Sequence, residues 1–145
     1  MLVRFTVAGR DLVAPLDHVR EVVRGATIER LPGIEPPFVG ALQLRGVTVP
    51  VADARPISLD EPVDILVLLL PGSGPFGVIV DRVTAVTEPL ADARLSPAPD
   101  ALPVYVIGLL EQGGGVTPMV DLRMLANEAA VGRARRLLAS SNAAR

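Results

Sequence analysis

The run Gly72-Ser73-Gly74-Pro75-Phe76-Gly77 has the spacing of a glycine loop that cradles phosphate. Asp92 stands about twenty residues further on, where such a motif carries its ribose-binding acid. That chemistry needs a helix directly after the loop, because helix N-terminal amides hold the pyrophosphate. The loop leads instead into Gly77-Val78-Ile79-Val80, a β-branched run that starts a strand, and Pro75 removes one amide. The loop is therefore expected to be a hairpin turn, and a nucleotide-binding protein built on Gly72–Gly77 is the weaker, enzyme-class alternative. Asp17-His18 sets a carboxylate beside the sole histidine, the residue types of a general base. Neighbouring residues on one turn point in different directions, and no serine nearby has a nucleophile context. His18 is expected to be a surface or half-buried imidazole. The chain has no cysteine, which removes disulfides, thiolate nucleophiles and thiolate metal sites together. Its acidic residues are scattered, so neither a carboxylate pair nor a calcium loop is spelled out. No catalytic constellation, cofactor set or metal set is left standing.

Two charges invite a different question. Glu21 lies in Val19-Arg20-Glu21-Val22-Val23, whose apolar flanks suggest a largely buried strand, and Arg45 lies at the tip of an equally apolar hairpin. They are either solvated on separate edges or paired across adjacent strands, where the pair would fix the hairpin register. If that pair is buried, Arg45→Ala is expected to be strongly destabilising. Arg133, Arg135 and Arg136 form a basic patch near the C-terminus, read as a solvated helix face or as a docking surface for an acidic partner.

Strands must carry these residues. Leu2–Ala8 and Leu12–Ala14 flank a turn at Gly9-Arg10-Asp11, and Pro15 to Val19 suits a single helical turn. Short β-branched segments come next at Arg20–Arg24 and Thr27–Leu31, then a proline loop from Pro32 to Pro37. Val39–Leu44 and Val47–Asp53 make a hairpin around Arg45-Gly46. Residues 56–62, polar and bracketed by prolines, mark a candidate internal boundary. Val63–Leu70, Phe76–Val80 and Val83–Glu88 are further strands, and Pro89–Pro103 reads as a connection. Tyr105–Leu110 and Val116–Val120 flank a glycine turn. Asp121 then caps a helix expected over about 122–139, where Leu122, Leu125 and Ala129 recur at helical spacing. The stretch Gly46–Arg55 is echoed by Gly115–Arg123: glycine, β-branched residues, proline, apolar pair, aspartate and arginine. A mostly β chain with two similar small modules and one closing helix is the expected architecture.

Composition closes off other classes. A net charge of −2 with only Phe5, Phe38, Phe76 and Tyr105 as aromatics supplies neither the basic surface nor the stacking platform of a nucleic-acid binder. The apolar run Ile65–Pro71, matched in length by none but Ala101–Ile107, is far short of the roughly 20 residues that span a bilayer. Arg4, Arg10 and Asp11 interrupt any signal-peptide core, so a cytoplasmic protein without direct membrane insertion is expected.

The order Glu21, Pro32, Phe38-Val39-Gly40, Leu44-Arg45-Gly46 and Val49-Pro50-Val51-x-Asp53-x-Arg55 resembles the CheW family of bacterial chemotaxis adaptors. The likeness continues through Ile65–Leu70, Gly77-Val78-Ile79-Val80-Asp81-x-Val83, Tyr105-Val106-x-Gly108-Leu109 and Val120-Asp121-Leu122. Gln43 and Ala54 depart from it, standing where asparagine and leucine are usual. The resemblance implies one CheW-like domain over 1–145, made of two intertwined five-stranded SH3-like barrels with a C-terminal helix. It implies a non-catalytic coupler between the cytoplasmic tips of methyl-accepting chemoreceptors and the regulatory domain of the histidine kinase CheA, a domain of the same fold. The chain would then work in membrane-receptor arrays. A CheW-like scaffold for another output, such as surface motility or second-messenger control, is the alternative it leaves. It places the receptor tip, a helical hairpin, in an apolar groove with Val19, Val39 and Ile65 as candidate contacts. Glu21 and Arg45 correspond to a charged pair of the family that would hold the groove wall in shape.

Overall fold

The computed structural model describes residues 1–55 and 62–128. Among these described residues twelve strands succeed one another: β1 (Leu2–Val7), β2 (Arg10–Pro15), β3 (Val19–Ala26), β4 (Glu29–Arg30), β5 (Phe38–Leu44), β6 (Val47–Asp53), β7 (Val63–Leu68), β8 (Phe76–Val80), β9 (Arg82–Thr87), β10 (Arg94–Ser96), β11 (Val106–Gln112) and β12 (Gly115–Val120). A helix, α1, starts at 122 and is described through 128. The predicted basic patch at Arg133, Arg135 and Arg136, and the end of the expected helix, lie outside the described residues.

The strands form two six-stranded sheets. Sheet A runs β10-β11-β12-β2-β1-β9 and sheet B runs β3-β7-β8-β6-β5-β4. Where five-stranded barrels were expected, each sheet has six strands, one of them only two or three residues long (β4 and β10). Among the described residues no ladder closes either sheet on itself. β10 falls inside the stretch read as a connection, pairing Arg94, Leu95 and Ser96 with Glu111, Leu110 and Leu109.

Sheet membership relocates the internal boundary. Residues 56–62 connect β6 to β7, and both belong to sheet B. The chain changes sheet elsewhere: once between Pro15 and Val19, and once between Val80 and Arg82. Sheet B is thus a continuous insertion, β3 to β8, within sheet A. At the first crossing the expected helical turn is a simple reverse turn, closed by the Val19 N–H donating to the Leu16 carbonyl at 3.0 Å. Pro15 itself ends β2 instead of opening a helix.

Side-chain alternation builds three layers of core. In β7 every residue is buried. Leu66 and Leu68 face the apolar layer between the sheets, with Val3, Phe5, Val7, Val78, Val80 and Val120, and α1 adds Leu122 and Leu125. Val63, Ile65 and Val67 point the other way, into a core within sheet B shared with Leu42, Val51 and Ile79. A strand buried on both faces has no reason to alternate apolar with polar residues, which accounts for the unbroken run Ile65–Leu68. Sheet A has a smaller core of its own: Leu2, Val13, Leu110 and Met119.

The internal echo has a structural counterpart. β6 and β12 are each the second strand of a hairpin, and each makes a parallel pairing on its other side, with β8 and β2 respectively.

Candidate functional site

The β5–β6 turn is a tight one in which both Arg45 and Gly46 have positive φ, 49° and 79°. Glycine meets that demand without strain, whereas a side-chain-bearing residue in this region is uncommon and favours functional positions. Arg45 spends the conformation on an ion pair. Its Nη1 donates to Glu21 Oε2 at 3.2 Å, and its Nη2 donates to Glu21 Oε1, so the fork is bidentate. Hydrogen bonds from Arg45 hold the Glu21 carboxyl below the usual carboxylate range. Glu21 in turn raises the Arg45 guanidinium.

The partners are not on adjacent strands. β7, β8 and β6 intervene between β3 and β5 in the sheet order, so the pair bridges β3 to the hairpin tip across the end of sheet B. Nor is it buried: the Arg45 side chain is 67% exposed and that of Glu21 25%. β3 is an edge strand with a half-buried pattern, not the largely buried strand its flanks suggested. A shallow cleft of about 190 Å³ lies beside the pair, with Val49 and Val67 among its buried lining residues and Arg20, Leu44, Val47 and Pro75 around them.

A second cleft, of about 220 Å³, lies at the first crossing between the sheets. Ala14, Pro15 and Val19 line it from the crossing, Leu68 and Leu70 from the end of β7, Val120 from β12, and Leu122 from the start of α1. Asp17, His18, Asp121 and Arg123 supply its polar lining. Asp121 is oriented by its own helix, since Oδ1 accepts the N–H groups of Arg123 and Met124 at 3.0 and 3.1 Å. Ile107 also reaches this cleft. It is the extra residue of a β-bulge, because Val106 pairs with Val120 and Gly108 with Met119. The bulge leaves Ile107 48% exposed.

The three candidate groove residues do not come together. Val19 lines the second cleft and packs on the layer between the sheets. Val39 packs instead against the core within sheet B. Ile65 is fully buried in that core and has no surface to offer a partner. Sequence reading missed Ile107, whose bulge leaves no local signature.

Sequence reading also missed Asp64, although a lone carboxylate in an apolar strand is itself a signal, because a buried charge needs partners. Asp64 is buried on β7. Its Oδ1 accepts the Gly25 N–H at 3.0 Å and its Oδ2 the Val83 N–H at 2.8 Å.

The Gly72–Gly77 loop is the turn joining β7 to β8, with the Ser73 N–H donating to the Leu70 carbonyl at 3.2 Å. It leads into a strand, so no helix N-terminus stands behind it to receive a phosphate. Among the described residues no cluster of three or more His, Asp or Glu side chains could hold a metal ion. No helix among them is long and apolar enough to cross a membrane.

A family model for the CheW-like domain matches residues 1–130. The structure is similar to that of the scaffolding protein TtCheW from Thermoanaerobacter tengcongensis. The TM-score is 0.67 at 23% sequence identity, over 86% of this chain and 90% of that one, a likeness that speaks for the fold. No curated protein matches the chain. Two sheets sharing a central layer, with the ordered motifs on their hairpins, accord with the family match over 1–130: the chain belongs to the CheW-like domain family.

Proposed function

We propose that this protein is a non-catalytic cytoplasmic adaptor that couples the cytoplasmic tips of chemoreceptors to the regulatory domain of the histidine kinase CheA. The observation that carries this reading, beyond family membership, is the cleft at the junction of the two sheets. Val19, Leu68, Leu70, Ile107 and Leu122 give it an aliphatic lining, and four polar residues stand beside them. An amphipathic helical hairpin suits such a site, since one helix face can bury its aliphatic side chains while the flanking polar residues stay wet. The drive is burial of apolar surface, at about 25 cal/mol per Å² before association costs.

In this reading Val19 touches the receptor tip directly. Ile65 and Val39 act from beneath, through the sheet-B core on which β3 rests. The Glu21–Arg45 pair holds the edge strand β3 to the hairpin tip and so keeps that wall in shape. The kinase regulatory domain, of similar fold, packs against one of the two sheets.

Isothermal titration against a CheA regulatory domain and a receptor-tip fragment tests the proposal. Binding to both is expected, with Val19→Asp abolishing the tip interaction alone. Folded protein that binds neither partner overturns it.

A further inference from the structure

The second crossing between the sheets, at Val80 to Arg82, is held by carboxylate acceptors as well as by backbone hydrogen bonds. The Asp81 N–H donates to the Thr6 carbonyl at 2.9 Å, and Asp81 Oδ2 accepts the Gly9 N–H at 3.1 Å. Both bonds tie the crossing back to the β1–β2 hairpin. Immediately beyond it, Val83, the second residue of the edge strand β9, has its backbone held from sheet B. Its N–H donates to Asp64 Oδ2 at 2.8 Å, and its carbonyl accepts Arg24 Nη1 at 2.6 Å.

Asp64 and Arg24 are themselves locked to one another. Between Val23 and Ala26, β3 carries one residue more than β7 carries between Ile65 and Val63. Gly25 takes up the bulge with a φ of 61°, a conformation that comes readily only to glycine. That bulge turns the Gly25 N–H onto Asp64 Oδ1 at 3.0 Å and brings Arg24 Nη1 within 3.6 Å of Asp64 Oδ2. A single buried carboxylate thus accepts one backbone N–H from each sheet, and the neighbouring guanidinium returns a bond to the same residue of sheet A.

We infer that Asp64, with Arg24, is the positioning residue of this protein: it clamps the edge strand β9 to β3 and thereby sets the spacing of the two sheets. The place of the clamp, at the crossing away from the cleft, gives it its consequence. Both crossings are tied to each sheet by hydrogen bonds. The one at 15–19, bordering the open cleft, uses the Leu16 N–H to the Met1 carbonyl at 3.2 Å and the Leu69 N–H to the His18 carbonyl at 3.0 Å. The one at 80–82 adds a buried carboxylate bonded to both sheets. With one end fixed, the sheets have one geometry at the other, and the cleft one width. The consequence for partner binding rests on the proposed function. The clamp itself does not.

The test exploits the absence of cysteine from the chain. Val47→Cys and Val116→Cys place one spin label on each sheet, at equivalent exposed positions of the two echoed segments. Distances are measured by electron double resonance in the otherwise wild-type protein and with Asp64→Ala, Asp64→Asn or Arg24→Ala added. Each variant is held below its own unfolding transition. A single narrow distance is expected for the parent, a broadened and shifted distribution for Asp64→Ala, and an intermediate one for Asp64→Asn, which keeps only one carbonyl acceptor. Arg24→Ala, at an exposed side chain, remains informative if Asp64→Ala fails to fold. Distributions indistinguishable from the parent in Asp64→Asn and Arg24→Ala overturn the inference.

In parallel, affinity of Asp64→Ala for the receptor-tip fragment is expected to fall roughly tenfold, as when the competent arrangement drops to about a tenth of the molecules. Should the parent bind no tip, the proposed function fails while the spin-label distances still judge the clamp.

Discussion

Gly77 and Ile65 give the sharpest test of the packing within sheet B. β8 runs between β7 and β6, with Gly77 opposite Val67 on one side and Val51 on the other. A Cβ added at Gly77 would lie 2.7 Å from Ile65 Cγ2 and 2.9 Å from Val51 Cγ1, closer than carbon atoms approach without displacement. Ile65 and Val51 are both fully buried, so neither has solvent to swing into. Replacing a strand glycine by alanine gains about 0.5–1 kcal/mol of backbone entropy. Overpacking a tight core costs about 1–3 kcal/mol, so the clash is expected to win and Gly77→Ala to destabilise.

Ile65→Ala errs in the other direction, leaving a cavity worth about 2–5 kcal/mol of lost stability. The two lesions share an atom. Removing Ile65 Cγ2 abolishes the 2.7 Å contact and opens the space that the new methyl group needs, while the contact with Val51 persists. The double variant should therefore be more stable than the sum of the singles by roughly 1 kcal/mol, within the range for directly coupled neighbours. Urea denaturation of the four proteins, fitted with a common slope, measures the cycle. Additivity to within about 0.5 kcal/mol would mean that Gly77 and Ile65 do not share this space. A loss below about 1 kcal/mol in Ile65→Ala would place that side chain at the surface, where a groove contact would have to be.

Three further outcomes concern the charged groups. Because Arg45 lowers the Glu21 carboxyl, the pair contributes stability above the unfolded-state value of that carboxyl and loses it as pH falls through the depressed folded value. The melting difference between the parent and Glu21→Gln should thus be largest near neutrality and vanish in acid; a difference that grows in acid refutes the sign. Arg55→Ala strips the buried Asp53 carboxylate of bonds at 2.9 Å from both Nε and Nη2 and should cost about 3–5 kcal/mol by denaturant titration, far more than removal of the exposed Arg45. Asp121→Ala removes the acceptor for two amides at the start of α1 and should cost about 1 kcal/mol, recoverable by Asp121→Ser and measurable as thermal stability.

Most strands were legible because their signals are local: weak alternation along β1, the glycine turn that returns the chain into β2, the Arg45-Gly46 turn, and the glycines before β12. β10 was hidden because three residues among prolines and alanines carry no period of their own, and the strand exists only through its pairing with β11. The boundary at 56–62 misled for a related reason. Composition marks where a chain turns polar, but sheet membership depends on long-range pairings such as β6 with β8 and β12 with β2, neither of which joins sequential strands. At the site, the partnership of Glu21 with Arg45 was one of two readings open from the sequence, and apolar flanks suggested burial that an edge strand does not provide. Ile65 was misplaced because a run buried on both faces looks the same as one that lines a groove.

The echoed segments show how far one local motif decides structure. Asp53 and Asp121 come after equivalent strand positions, and each turns its Oδ1 onto the backbone N–H of the arginine two residues on, at 2.9 and 3.0 Å. The same side-chain turn then serves opposite ends. After Asp121, Leu122, Leu125 and Ala126 fall at helical spacing over the apolar layer between the sheets, so the turn becomes the cap of α1 and Arg123 is left exposed. After Asp53, Ala54 donates its N–H to the Ile79 carbonyl at 3.0 Å, and the arginine folds back onto the carboxylate in a buried pair. Proline comes directly after Arg55, which disfavours a helical conformation there. The aspartate fixes the direction in which each strand ends. The residues beyond it decide whether that end becomes a helix closing the shared core or a buried ion pair.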